Sequence, residues 1–225
     1  MKDLVLLHGA LGADTLFQPL MAELTGFRCY TFNFSGHGGA PFSTKGFGIE
    51  VFARELEKFL DDQRLKEVPV FGYSMGGYVA LYLELTRPGT FSQIVTLGTK
   101  FDWKPETAQH EASRMVPEVI KNKVPKFASL LSQRHGDHWE QLMEATVKMM
   151  IGLGNAPLLN EQNLTQLKAP SHIMLGDGDQ MVSPQESKKV SQTLPNGHFE
   201  MLTDTPHPLE KVNATMLASK LRALI

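Results

Sequence analysis

Short, wholly apolar runs alternate along this chain with longer stretches whose apolar residues recur every three or four positions. Leu4 to Leu7 is the first run, and continuous apolarity over so few residues predicts a strand covered on both faces, as in a parallel sheet. Leu16, Leu20 and Leu24 fall at helical spacing within Thr15 to Leu24, and Arg28 to Phe34 reads as a second strand. Phe52, Leu56, Phe59 and Leu60 mark an amphipathic helix over Ile49 to Leu60. Val68, Val70 and Phe71 form a third strand, followed by GYSMGG and a helical pattern from Val79; Phe91 to Leu97 is a fourth strand, ending at Gly98. Ser171 to Gly176 and Phe199 to Leu202 complete six, with a helix from about Pro184 to Leu194 between them. Pro206 or Pro208 opens a last helix through Val212, Met216, Leu217 and Leu221. Strand-helix alternation requires right-handed crossovers, so the expected class is α/β, a mostly parallel sheet of about six strands flanked by helices.

Between the fourth and fifth strands the rhythm changes. Residues 101–167 offer no strand-like run, only helical patterns over Pro105 to Met115, Val116 to Arg134 and His138 to Ile151. Asp137 with Glu140 three residues on resembles a capping box opening the last of these. This segment is expected to be an inserted helical cap on a core formed by 1–100 and 168–225. Most of its large apolar residues should pack as helix faces, and some should roof an apolar pocket where methionine adapts to irregular shapes.

Composition narrows the partner. The 225 residues fit one domain with an insertion, and 24 acidic residues nearly balance 22 basic ones. Without a basic stripe there is no signal for nucleic acid or an anionic membrane, so a small, partly apolar molecule is the expected ligand. A single cysteine, Cys29, forms no internal disulfide, and the start MKDLVLLHGA has no signal-peptide pattern; the expected compartment is the cytoplasm. No cofactor is expected. His135, Asp137 and His138 suggest a metal only superficially, since zinc needs three or four ligands and no further partner stands out.

The chemistry centres on Gly72-Tyr73-Ser74-Met75-Gly76. A serine held in strained geometry between a strand and a helix needs small neighbours two residues to either side, and Gly72 and Gly76 supply them. The helix behind it presents free N–H groups where negative charge develops in acyl transfer. A serine nucleophile needs a histidine base oriented by a buried carboxylate. Asp179, beyond Gly178 in the turn after the fifth strand, is favoured as the acid over Asp177, read as a turn or capping residue, and over Asp102. His207 follows the last strand and so lies at the carboxyl edge where such sheets place their sites; His198 enters that strand at its opposite end. His8 is read as a structural histidine of its own loop and His37 as loop architecture. The Gly9 to Gly12 loop leaves backbone N–H groups free, so Ala10 and Met75 are the expected oxyanion donors. Leu11, Trp103, Trp139 and Met143 are the expected substrate-binding residues.

Taken in order, LLHGALG, the GHG turn at Gly36 to Gly38, GYSMGG, GDGD and the late histidine resemble the α/β hydrolase superfamily over the whole chain. The resemblance implies Ser74 as nucleophile, Asp179 as acid, His207 as base, and the Ala10 and Met75 amides as the oxyanion hole. Two departures stand out: the chain starts at what would be the family's third strand, and the histidine lies in TPHP rather than a Gly-His pair. Compact carboxylesterases and the menaquinone-pathway synthase share this elbow. The expected activity is therefore hydrolysis of a small carboxylic ester or thioester, with a triad-based lyase as the alternative and a non-catalytic ligand-binding protein as a second alternative.

Overall fold

The computed structural model describes residues 1–225. Six strands, β1 (Lys2–Leu7), β2 (Phe27–Thr31), β3 (Pro69–Tyr73), β4 (Gln93–Leu97), β5 (Ser171–Gly178) and β6 (Gly197–Pro206), form one sheet in the order β2-β1-β3-β4-β5-β6. Every pairing is parallel. The helices are α1 (Gln18–Glu23), α2 (Ile49–Asp62), α3 (Met75–Thr86), α4 (Pro105–Ser113), α5 (Pro117–Lys123), α6 (Pro125–His135), α7 (Trp139–Asn155), α8 (Glu161–Leu164), α9 (Pro184–Thr193) and α10 (Ala214–Leu224). None is long and apolar enough to cross a membrane.

Strand pleating divides the core in two. Val5, Leu7 and Val70 point to the face covered by α2, α3 and α9, where Phe52, Leu56, Val79, Leu83 and Val190 are buried with them. Leu4, Leu6 and Phe71 point to the opposite face, against Leu20 of α1 and Leu217 and Leu221 of α10. Successive side chains alternate between faces, so a strand with both faces covered has to be apolar throughout. That is the physical content of the Leu4 to Leu7 run.

Several elements differ from their expected form. The Thr15 to Leu24 helix is a 3₁₀ turn over Asp14–Phe17 followed by α1. The single helix expected over Val116 to Arg134 is two, because Pro125 forces Val124 out of helical geometry, to φ −136° and ψ 57°. No capping box forms at Asp137: that residue lies in a 3₁₀ turn, Gly136–His138, which leads into α7 with no side-chain cap. The final helix is opened by Asn213, whose side chain accepts from the Met216 N–H, while the prolines before it precede a 3₁₀ turn at Leu209–Lys211. In the helical segment between β4 and β5, Leu153, Leu159, Leu164 and Leu167 are buried with the main core.

The end of the sheet matters most for the site. β6 runs on to Pro206, past the expected Leu202, through an irregularity in its pairing with β5. Leu202 pairs with Gly176 and Pro206 with Gly178, so four steps on β6 match two on β5. Gly176 permits this: a Cβ there would lie 1.8 Å from the Thr205 carbonyl oxygen. Asp177 is inside β5, and its carboxylate accepts from the Thr205 N–H at 3.3 Å. Its role is to brace β6, and α9 is capped instead by Ser183 and Glu186.

Candidate active site

Ser74 sits between β3 and α3 with φ 51° and ψ −117°, a conformation that non-glycine residues adopt at a cost of about 1–3 kcal/mol. Its N–H donates to the Leu97 carbonyl at 2.8 Å, and its carbonyl accepts from the Thr99 hydroxyl at 2.9 Å. The glycines around it are required by close backbone approach. A Cβ on Gly76 would stand 2.3 Å from the Leu7 carbonyl oxygen, and one on Gly72 would stand 2.4 Å from the Gly77 Cα. Helix α3 can start directly behind the serine only because nothing fills those spaces.

His207 follows β6 directly, and its Nδ1–H donates to Asp179 Oδ2 at 2.7 Å. The other Asp179 oxygen accepts from the N–H groups of Met181 and Val182, at 2.8 and 3.0 Å. Burial opposes ionisation of Asp179, but the His207 contact and the two amides outweigh it and hold the carboxyl below its ordinary range. Tyr73 donates its hydroxyl proton to the His207 carbonyl at 2.7 Å, which fixes the backbone carrying the imidazole. Burial pushes the Tyr73 phenol well above its usual range, so it remains a donor. Gly98, with φ 63°, passes beneath the pair; a Cβ there would lie 3.1 Å from Asp179 Oδ2 and 3.2 Å from His207 Nδ1. The other aspartate considered from sequence, Asp102, turns outward to Lys104, at 3.0 Å. His198 lies at the start of β6, stacked on His172 with ring centroids 5.0 Å apart.

On the β1 side, the loop after Leu7 is held from its carbonyls. The Gly9 carbonyl accepts from His8 Nδ1 at 2.8 Å and from the Gly12 N–H at 3.0 Å. In a planar trans peptide the N–H points opposite the C=O, so fixing the Gly9 oxygen aims the Ala10 N–H. That N–H has no acceptor within the chain. The His8 tautomer follows from its other nitrogen, which accepts from the Phe34 N–H at 3.2 Å. Burial drives this imidazole's pKa down to about 4, so it is neutral, as both bonds require. Met75, the first residue of α3, has no carbonyl one turn back within the helix, which leaves its N–H free as well.

Ala10, Met75, Ser74 and His207 share the wall of one small cavity of about 50 Å³. The rest of the wall is mainly apolar, with Ile49, Tyr78, Trp103, Met149, Met150 and Leu153 supplying most of it. Of the expected substrate-binding residues only Trp103 is there. Trp139 and Met143 are buried with Leu131 in a separate cluster under α6 and α7, against which the Leu11 side chain packs. These three are thus corrected away from the pocket: Trp139 and Met143 of α7 face Leu131 of α6, and Leu11 packs on that cluster from the loop after β1. Met149 and Met150, about two helical turns beyond Met143 on α7, reach the cavity instead. His135 has both ring nitrogens engaged, Nδ1 accepting from the Gly38 N–H and Nε2 donating to the Leu11 carbonyl, so it has no lone pair left for a metal. The sequence assigns Tyr73 no partner in the site and Gly98 only a place at the carboxyl edge of the sheet, while Met149 and Met150 stand among the helical segment's apolar residues without being separated from Trp139 and Met143.

A parallel sheet with a strained serine at one strand end and an aspartate-bonded histidine at another defines the α/β hydrolase class. The chain belongs to that family: the family model described as alpha/beta hydrolase fold matches residues 3–129. Among relatives, the chain is 23% identical over 233 residues to the mouse sn-1-specific diacylglycerol lipase ABHD11, covering 91% of this chain and 74% of that protein. Among solved structures, a thermophilic esterase from Thermogutta terrifontis superimposes with TM-score 0.78 at 19% identity, over 100% of this chain and 89% of the other. MenH from S. aureus superimposes with TM-score 0.79 at 20% identity, over 99% and 92%. At such identities the two structures share the fold with this chain.

Proposed function

We propose that this protein is a serine hydrolase that cleaves a small carboxylic ester or thioester through an acyl-enzyme. The observation that carries the reading is the 2.7 Å bond between His207 and a buried Asp179, with His207 on the same cavity wall as the strained Ser74. Ser74 Oγ attacks the carbonyl carbon while His207 Nε2 takes its proton, and Asp179 stabilises the imidazolium. The carbonyl oxygen becomes an oxyanion facing the Ala10 and Met75 N–H groups. The leaving alcohol or thiol departs with the proton from His207, leaving the acyl group on Ser74. Water then repeats the sequence and releases the acid.

The cavity limits the substrate. Ligand pockets commonly measure about 300–1,000 Å³, so a space of about 50 Å³ favours a short acyl group unless Trp103 and the paired methionines of α7 move. In this reading residues 101–167 act as a cap, and the partner is a small, partly apolar molecule. A lyase of the menaquinone-pathway type would need cations facing several substrate carboxylates. No lysine or arginine of this segment lines the cavity, and several are paired away from it: Lys104 with Asp102, Lys121 with Glu118 and Glu140, and Arg134 with Glu210. Lys100, on the cavity wall, already donates to the Met181 carbonyl at 2.9 Å.

The test is intact mass after fluorophosphonate treatment of wild type, Ser74→Ala, His207→Ala and His198→Ala, combined with hydrolysis of p-nitrophenyl esters of increasing acyl length. One adduct on wild type and His198→Ala, none on Ser74→Ala and very slow labelling of His207→Ala is the expected result, with kcat/KM falling as the acyl chain lengthens. A folded wild type that takes no label and turns over no ester refutes the reading.

A further inference from the structure

The loop expected to supply the oxyanion donor and the loop carrying His207 come from opposite sides of the serine, β1 and β6. One side chain from the helical segment touches both. Arg134, near the end of α6, donates from Nη1 to the Leu11 carbonyl at 2.9 Å and from Nη2 to Glu210 at 2.7 Å. Its side chain is only 15% exposed. Leu11 adjoins Ala10, and Glu210 lies three residues after His207. The next residue of α6, His135, donates Nε2–H to the same Leu11 carbonyl at 2.9 Å. Leu11 is not a glycine, yet it has φ 55°. Those two hydrogen bonds and the packing of its side chain against Leu131, Trp139 and Met143 hold it in that unfavourable conformation.

We propose that Arg134 is a positioning residue that makes the alignment of the oxyanion donor and of the base loop depend on α6 lying closed over the sheet. A planar guanidinium can hold two acceptors at a fixed separation, which a lysine ammonium on a flexible stem does not do. When α6 lifts, the Leu11 carbonyl loses both donors at once and the Ala10 peptide is released from one side. The hydrolytic consequence rests on the reading of Ser74 as nucleophile with Ala10 as a donor; the mechanical tie between the two loops does not.

The experiment compares wild type, Arg134→Met and Glu210→Ala by hydrogen exchange mass spectrometry and by steady-state ester kinetics. Arg134→Met should speed exchange in peptides covering 9–13 and 207–213 about tenfold while β3 and β4 peptides are unchanged. Its kcat should fall about tenfold, with KM changed less than about twofold, since a displaced oxyanion donor weakens transition-state rather than ground-state binding. Glu210→Ala, altered at the exposed end of the clamp, should loosen 207–213 alone with a smaller loss of kcat, and it supplies the test if the Arg134 variant does not fold. Unchanged exchange at either loop in Arg134→Met, or faster exchange with kcat unchanged, overturns the proposal. A wild type without esterase activity whose loops still loosen on Arg134→Met overturns the ester reading and leaves the clamp standing.

Discussion

Lowering the pH from 7 to 5 should unfold this protein far more readily than its carboxylates would dictate, because three buried histidines meet beside the site. His8 and His37 have ring centroids 4.9 Å apart, and His37 and His135 5.9 Å apart. All three are fully buried. Burial takes His8 and His135 down to about 4, and it lowers His37 strongly, with the charge of its neighbours adding to the effect. A histidine whose pKa is lower folded than unfolded leaves the unfolded chain binding more protons in the interval between the two values. Stability is therefore full above an unfolded pKa of about 6.5 and drains as pH falls toward 4. Between pH 7 and 5 each of His8 and His135 accounts for about 1.8 kcal/mol, or about 3.6 kcal/mol together, a large part of a typical total of about 5–15 kcal/mol. Asp14 and Arg134 also face His8, the first favouring and the second opposing its protonation. Urea denaturation followed by far-UV circular dichroism at pH 7 and 5 measures the difference. His135→Gln, which retains a donor for the Leu11 carbonyl, should recover about 1.8 kcal/mol of it. A loss below about 1 kcal/mol between the two pH values would refute the reasoning.

Three further outcomes follow from the contacts. Gly98→Ala places a methyl group against the Asp179–His207 bond in a backbone that disfavours side chains; kcat for ester hydrolysis should drop about a hundredfold with the fold retained by circular dichroism. Tyr73→Phe removes the hydroxyl that bonds the His207 carbonyl and should cost about 1 kcal/mol in urea titration, together with a severalfold loss of kcat. Trp139→Ala should destabilise by about 3–5 kcal/mol without altering acyl-length preference, whereas Trp103→Ala, on the cavity wall, should extend that preference to longer chains. Reversal of that contrast would show that the two tryptophans have been assigned to the wrong places.

What was legible in the chain was whatever depends on local pattern or strand direction. Ser74 was legible because only glycine tolerates the approach of Leu7 and Gly77 to the elbow, a demand written into adjacent residues. The Asp179–His207 pairing was legible because a parallel strand can deliver a residue to the carboxyl edge only at its far end, which separates His207 from His198. Tyr73 was illegible as a partner because its hydroxyl meets a carbonyl 134 residues away. Trp139 and Met143 were misplaced because apolar spacing gives a helix face but not what that face meets; they meet Leu131. Apolar periodicity alone overextends the Val116 to Arg134 helix, because it does not register the constraint that Pro125 puts on the residue before it, Val124.

The strained positions explain how strand ends become a site. Five non-glycine residues have positive φ: Leu11, Arg64, Glu67, Ser74 and Asp204. Three of these five follow or close β1, β3 and β6, the strands that bring Ala10, Ser74 and His207 to one edge. Each is held by bonds beyond its own turn: Leu11 by Arg134 and His135, Ser74 by Leu97 and Thr99, and the Asp204 stretch by the Asp177 bond to Thr205. At about 1–3 kcal/mol apiece these conformations persist only because their neighbours over-determine them. A chain relaxing any one would turn an N–H, a hydroxyl or an imidazole away from the cavity. On the proposed reading the strain falls where alignment has to precede substrate binding, and the helical segment, through the Arg134 bond to Leu11, is one of the elements that maintains it.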